Sequence, residues 1–308
     1  MTSPIDLVIP MVFPQDPEWQ REYLAHKGGT ADGVMRHTRY RSWDTEHLLV
    51  RCACRYMPWL RHIIILLAGD SQVQPWMTDE MMSLSSADGP RLRIVFHHEF
   101  MPDYALPCFS SPCIEMFLSG IPGLSEQFIY ANDDMFPLGP LHPDDFFRDG
   151  RPCLSFKHNG RPVHPSLFER KCLYQQDMVD RPFGGRYKSV WLESMHSFAP
   201  ILRSCCDEVW RRHGDEIVKY LSPLRRNDRS YNHYIYLLYQ YFAGLSVDVS
   251  PVKMRYVGRS TSVQAMTDIL REPDGGIVCL NDNEHLDDWK ERAAVVRSEI
   301  SKKLRIEI

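Results

Sequence analysis

The sequence lacks an apolar run of membrane-spanning length; the longest, Ile63 to Ala68, is strand-sized, so no transmembrane segment is expected. Met1 to Asp6 lacks the basic stretch followed by an apolar one that marks a secretory leader, so the expected location is the cytoplasm. It also lacks a charge of one sign. Lys and Arg number 36 against 40 Asp and Glu, the net charge is −4, and no long basic run occurs. That argues against a nucleic-acid partner, whose phosphates need a basic face, while leaving room for a small cluster around one phosphorylated ligand. The nine cysteines lack the spacing of a zinc framework: Cys52/Cys54 and Cys205/Cys206 are too close together and Cys279 stands alone. They read as buried reduced thiols. No repeat and no low-complexity tract is present.

What the chain does have is 308 residues, 44% of them apolar, enough for one large domain with a sizeable core. Apolar, β-branched segments predict strands at Ile5–Val12, Ile63–Leu67, Leu92–Phe96 and Gln127–Ala131. Between them, a helix is expected from a cap at Asp44 to about Tyr56, ended by Pro58, and another from Ser111-Pro112 to near Gly120. Strands alternating with helices predict an α/β fold with a mostly parallel sheet, which binds ligands beyond the carboxyl ends of its strands. The second half differs. Arg151 to Tyr187 is rich in Pro, Gly and Arg and reads as loop-dominated. Helices are expected at Cys205–Tyr220, at Ser230–Ala243 and at His285–Leu304. The aromatics of the second, Tyr231, Tyr234, Tyr236, Tyr239 and Phe242, recur at helical spacing and read as core packing.

Chemistry concentrates at the end of the fourth strand, where Phe128-Ile129-Tyr130-Ala131 runs into Asn132-Asp133-Asp134. Adjacent carboxylates at a strand end can hold a divalent cation against a diphosphate, since hard cations take oxygen ligands and share them with phosphates. The same letters also suit a turn. Asn281-Asp282-Asn283 follows the apolar Ile277 to Leu280 and is either a further oxygen ligand from a distant part of the chain or a capping loop. His196 is a candidate general base, because an imidazole titrates near neutrality, or a core histidine. Arg225 and Arg226, with Arg229 near, present guanidinium forks to phosphate oxygens or to solvent.

Together these segments resemble the Stealth family of sugar-1-phosphate transferases, which includes bacterial capsule polymerases and the animal N-acetylglucosamine-1-phosphotransferase. Four motif regions occur in order. The first is Ile5-Asp6-Leu7-Val8-Ile9, continuing to Asp16-Pro17-Glu18-Trp19, with Pro10 and Met11 departing from the family's usual Thr-Trp-containing form. The second runs from Arg39 through Arg51, Pro58-Trp59, Gln74-Pro75-Trp76 and His98 to Ser111-Pro112 and Tyr130-Ala131-Asn132-Asp133-Asp134; Ser110 replaces the usual Asn. The third has His196 with Pro200, then Arg225-Arg226-Asn227-Asp228, with Asn232 where Asp is common. The fourth is Val278-Cys279-Leu280-Asn281-Asp282.

The resemblance implies a glycosyltransferase-A-like nucleotide-binding fold with added C-terminal helices, residues 1–150 forming the nucleotide-sugar core and 151–308 completing one catalytic domain. It implies transfer of a hexose-1-phosphate from a UDP-sugar to a hydroxyl of a cell-surface glycan, with release of UMP. The catalytic residues it implies are His196, Arg226 and Asp133. Asp6, Arg51, His98, Asn132, Arg225 and Asn281 would bind substrate, and Asp133, Asp134 and Asp282 would hold Mg²⁺ or Mn²⁺. A lipid-linked acceptor and transient contact with the inner membrane face are compatible with this. Two other readings use the same residues: a metal-dependent glycosyltransferase that releases UDP, and a non-catalytic glycan- or nucleotide-binding protein.

Overall fold

In the computed structural model, which describes residues 3–30, 33, 40–84, 89–224, 229, 231–282 and 288–306, the apolar runs become strands. In chain order these are β1 (Ile5–Pro10), β2 (His62–Leu67), β3 (Arg91–Phe96), β4 (Gln127–Tyr130), β5 (Met135–Pro137), β6 (Phe147–Arg148) and β7 (Arg151–Leu154). They continue with β8 (Phe156–Gly160), β9 (Val190–Ser194), β10 (Ala199–Leu202), β11 (Val247–Asp248), β12 (Met254–Val257) and β13 (Ile277–Leu280). The longest sheet has the order β10-β4-β1-β2-β3 and is mostly parallel, β10 running antiparallel to β4. Its middle strands are apolar almost throughout because both faces are covered: β2 is buried from Ile63 to Leu67 and β4 at every position.

The chain forms two compact units that interleave along the sequence instead of dividing near residue 150. The first holds residues 1–6, 96–130 and 143–251, the second residues 7–95, 131–142 and 252–308.

In the second unit, the helix Trp289–Leu304 packs on the helices Glu46–Tyr56 and Val263–Arg271, and Arg271 pairs with Glu299 at 2.8 Å. A small sheet, β12-β13-β5, places the carboxyl end of β13 beside the segment that follows β4. Asp44 does not cap the helix it was expected to start. Thr45 is the cap residue, and Asp44 sits at φ 57° with its N–H donated to Ser42 Oγ at 2.8 Å.

In the first unit, the helix Tyr234–Phe242 is buried along nearly its whole length, so its tyrosines are core, as their spacing predicts. The expectation of a loop over 151–187 is overturned. That stretch contains β7, β8 and the helix Leu167–Asp180. Its prolines and glycines gather at 160–165 and 182–185, outside the helix. The helix is fixed by a reciprocal cap between Ser166 and Glu169 and by the buried face of Cys172, Gln175, Gln176 and Val179. Eight of the nine cysteines are buried and Cys54 is half-buried. No helix among the described residues is long and apolar enough to cross a membrane.

Gly276 positions β13. It adopts φ 62°, and a Cβ there would lie 2.2 Å from the carbonyl oxygen of Lys253, which accepts the N–H of Ile277 at 2.9 Å. Gly276→Ala should therefore cost at least about 1–3 kcal/mol, from the left-handed backbone alone and before the clash. The measurement is the denaturant midpoint, which should fall with little change in slope.

Candidate functional site: an acidic strand end and a histidine network

In the second unit, the backbone leaves β4 through Ala131, whose N–H donates to Val8 O at 3.0 Å, and reaches Asn132, Asp133 and Asp134, all half-buried. β5 then pairs antiparallel with β13, Met135 opposite Cys279. This pairing brings the fourth motif to the second: Leu280 N–H donates to Asp134 O at 2.8 Å, and Cys279 Sγ lies 3.5 Å from Asp134 Oδ2. Burial and the Asp134 carboxylate push the Cys279 thiol up, so it stays protonated and donates. Asn281, whose N–H is held by Val257 O at 2.9 Å, and Asp282 emerge at this same end.

The carboxyl of Asp133 is pushed up to about 8, first by burial and then by the charges of Asp134 and Glu46. Glu46 is itself buried and raised by desolvation, accepting from Ser42 Oγ at 2.6 Å. The charges of Asp134 and Glu46 both disfavour ionisation of Asp133, and carboxylate oxygens at a strand end are the donors that suit a hard cation. Asp282 is engaged differently from its two expected partners. Arg41 forks onto both its oxygens, through Nε at 2.7 Å and through Nη2, and Trp43 Nε1 donates at 3.0 Å. The Arg41 guanidinium also lies over Trp289, 4.7 Å from the ring centre. Arg51 donates to Glu80 at 2.5 Å.

In the first unit, Asp6 is fully buried and accepts the N–H of Ser125 at 2.8 Å, so it fixes the turn before β4 from inside the core. His98 is exposed and stacks on Phe96 with ring centres 5.8 Å apart. His196 is half-buried, and its Nδ1 lies 3.4 Å from the Tyr234 hydroxyl. Tyr234 adjoins His233, whose backbone N–H and Nδ1 both reach Glu115 Oε2, at 2.7 and 2.8 Å. The other Glu115 oxygen accepts from Tyr130 at 3.0 Å. Arg225 and Arg226 lie outside the described residues. Arg229 is described, donating to the Tyr220 hydroxyl at 2.5 Å and lying over the Tyr174 ring.

Glu115 and Arg41 are the residues that reading by motif left without a role. A signal for Glu115 existed: a lone acid in the apolar Cys113-Ile114-Glu115-Met116 turn is buried only when paired, and Glu115 is 4% exposed. Arg41 carried none, because its partner lies 241 residues away.

Comparison with known proteins agrees with the resemblance. Residues 39–153 match the family described as Stealth protein CR2, conserved region 2. A capsular polysaccharide phosphotransferase of Aeromonas hydrophila is 28% identical over 248 residues, covering 74% of this chain and 63% of the relative. An exopolysaccharide phosphotransferase of Streptomyces coelicolor is 31% identical over 291 residues, covering 91% and 47%. A capsular polysaccharide phosphotransferase of Streptococcus pneumoniae is 25% identical over 340 residues, covering 98% and 97%. The chain thus spans between about half and two thirds of the first two relatives. Among solved structures, the galactosyltransferase LgtC is similar at a TM-score of 0.44 and 12% identity, covering 96% of this chain and 95% of that one.

The strand end generates a stability prediction. Because the folded carboxyl of Asp133 titrates above its unfolded value, its protonation favours the fold. That stabilisation is complete below about pH 4 and is lost as the pH rises through about 8. Asp133→Asn, uncharged throughout, removes the loss. In chelator, the melting temperature of Asp133→Asn relative to the parent should therefore climb between about pH 5 and about pH 8.5, and Mg²⁺ should shrink the difference. A difference independent of pH would show that the carboxyl is not perturbed.

Proposed function

The chain belongs to the Stealth family, and from that premise we propose that it transfers a hexose-1-phosphate from a UDP-sugar to a hydroxyl of a cell-surface glycan, forming a phosphodiester and releasing UMP. The observation that carries this reading is the pair Asp133 and Asp134 at the end of β4, with the fourth motif joined to it through β13. An acidic strand end repels a diphosphate unless a cation lies between. Asp133 and Asp134 are the residues that would hold it, with Glu46 close enough in charge to tune them. A divalent cation, when bound, neutralises the diphosphate and stabilises the leaving UMP. Asp282 would join that set only by releasing Arg41, so its role here is to anchor the 41–43 segment.

The acceptor hydroxyl attacks the β-phosphorus. The bond from that phosphorus to the oxygen bridging the two phosphates breaks, and UMP carries the electron pair away. His196 takes the hydroxyl proton at one ring nitrogen while Tyr234 holds the imidazole's orientation. Arg226 and Arg225 neutralise the transferred phosphoryl oxygens, a task suited to a planar fork. The same reading assigns Asn132, Asn281, Arg51 and His98 to substrate binding, while Asp6 acts from the core by fixing the Ser125 turn. With a UDP-sugar as donor, the location this reading implies is the cytoplasm, at the inner face of the membrane.

Bond cleavage tests the reaction. With a UDP-sugar and an oligosaccharide acceptor, turnover should release UMP and leave a phosphodiester visible by ³¹P NMR, with the anomeric configuration unchanged because no bond to that carbon breaks. Stoichiometric UDP and a product free of phosphorus would make the chain a glycosyltransferase. Donor binding with no turnover on any UDP-sugar would make it a binding protein. Within the transferase reading, His196→Ala should lower turnover by about 10²–10⁴-fold while donor affinity changes little. A normal rate would return His196 to a structural role.

A further inference from the structure

Residues 157–188 carry seven Lys and Arg against three Asp and Glu, in a chain whose net charge is −4. The same stretch holds three exposed large apolar side chains close together in the sequence. Val163 is 86% exposed, Leu167 54% and Phe168 51%. They sit at the tip of the turn between β8 and the helix Leu167–Asp180, flanked by exposed Lys157, His164 and Arg170. Side chains this apolar are unfavourable in water, and three within six residues make a patch.

The tip is held out on a fixed base. Arg161 pairs with Asp177, donating to Oδ2 at 3.0 Å, and reaches the carbonyl of Tyr187 at 3.2 Å. On the helix side, Glu169 accepts the N–H of Ser166 at 2.6 Å and Arg170 donates to Pro165 O at 2.9 Å. These bonds use the acids of the segment internally: Asp177 goes to Arg161 and Glu169 to the cap, while Asp180 is buried and accepts the N–H of Tyr187 at 2.9 Å. Arg170 is exposed in the first turn of the helix beside Leu167 and Phe168, and exposed Lys157 stands on β8 opposite Glu193, which accepts from Asn159 at 2.8 Å.

We propose that the 157–171 segment is a docking wedge for an anionic phospholipid surface. Aliphatic Val163 and Leu167 enter the boundary between headgroups and acyl chains, and the surrounding cations meet the lipid phosphates, the division of labour of interfacial anchors. Phe168 links the wedge to the chemistry: its ring meets Tyr234 edge-on at 6.4 Å, and the Tyr234 hydroxyl lies 3.4 Å from His196 Nδ1. Docking would thus set a lipid-borne acceptor beside the base. That consequence rests on the function proposed above, whereas the docking itself does not.

The test reads binding alone. The full chain is sedimented with vesicles of phosphatidylcholine, or of phosphatidylcholine with about a third phosphatidylglycerol, at low ionic strength. It should bind the second, not the first, and dissociate as salt is raised. Val163→Asp with Leu167→Asp should lower the bound fraction about tenfold or more, with an unchanged melting temperature because both side chains are exposed. Lys157→Glu with Arg170→Glu, which keeps the apolar tip, should do the same. A parent that ignores anionic vesicles, or that binds a capsular oligosaccharide through Val163 and Leu167 instead, overturns the proposal. So does vesicle binding by either double variant that equals the parent's. If the wedge binds but turnover releases UDP, the docking surface stands and the proposed reaction falls.

Discussion

Mutual repulsion among carboxylates is the constraint around which the second unit is arranged. Asp133 and Glu46 come from two separate stretches of chain, burial raises the cost of charge on both, and Asp134 adds to it at Asp133. An ordinary fold would separate such groups or pair each with a base. This one holds them by backbone bonds that a side-chain charge cannot easily break. Asp134 is fixed by the N–H of Leu280, Ala131 by the carbonyl of Val8, and the segment carrying Glu46 by Arg41, Trp43 and Asp282. Arg41 goes to Asp282, and burial with two neighbouring carboxylates raises the cost of charge on Asp133. A carboxyl perturbed in this way at a strand end is a candidate for function.

The parts of this arrangement that a sequence shows are those whose cause is local. β1, β2 and β4 were legible because a strand covered on both faces must be apolar throughout, and Asn132-Asp133-Asp134 was legible because polar letters end such a run abruptly. The helix Leu167–Asp180 was not. Its stabilising features are a cap at Ser166 and a mixed face of Cys172, Gln175 and Gln176, whose amides bury themselves by bonding backbone: Gln176 Oε1 accepts the N–H of Leu192 at 2.8 Å. Glutamine reads as surface in a sequence, and the flanking prolines and glycines dominate the local composition. Asp44 failed as a cap because the helix begins one residue later than expected: Thr45 holds the cap position and Asp44, at φ 57°, lies before it. Arg41 and Asp282 were illegible as a pair because nothing in either neighbourhood records a contact across 241 residues.

Buried polar groups divide the work differently from the exposed ones. Asp6 and Glu115 are both in motif regions and both below 5% exposed, so neither meets solvent. Asp6 carries the turn that precedes β4, and Glu115 carries the last residue of β4, Tyr130, together with His233. A buried carboxylate costs several kcal/mol unless its oxygens are filled. Filled, it rigidifies whatever it holds, and here that is the entry to the strand and its last residue. The same logic reaches His196 through Tyr234, the neighbour of His233. Motif residues therefore include buried ones, Asp6 and Glu115, whose visible work is to hold the backbone and side chains around them.

Charge along the chain follows the same division. The strand end is acidic and half-buried, and the 157–188 stretch carries an excess of Lys and Arg, so charges of the two signs are kept apart in sequence. Phosphoryl transfer asks a protein mainly for placement and for compensation of negative charge. An acidic strand end cannot provide that compensation unaided. It provides the placement, at a standing cost in stability that grows as the pH rises through the titration of Asp133. A fold selected for stability alone would remove that cost with a single Asp-to-Asn exchange, which preserves shape and most hydrogen bonds. That both carboxylates sit together, with Glu46 adding to the burden on Asp133, is a cost that the chemistry proposed for that end of β4 would explain.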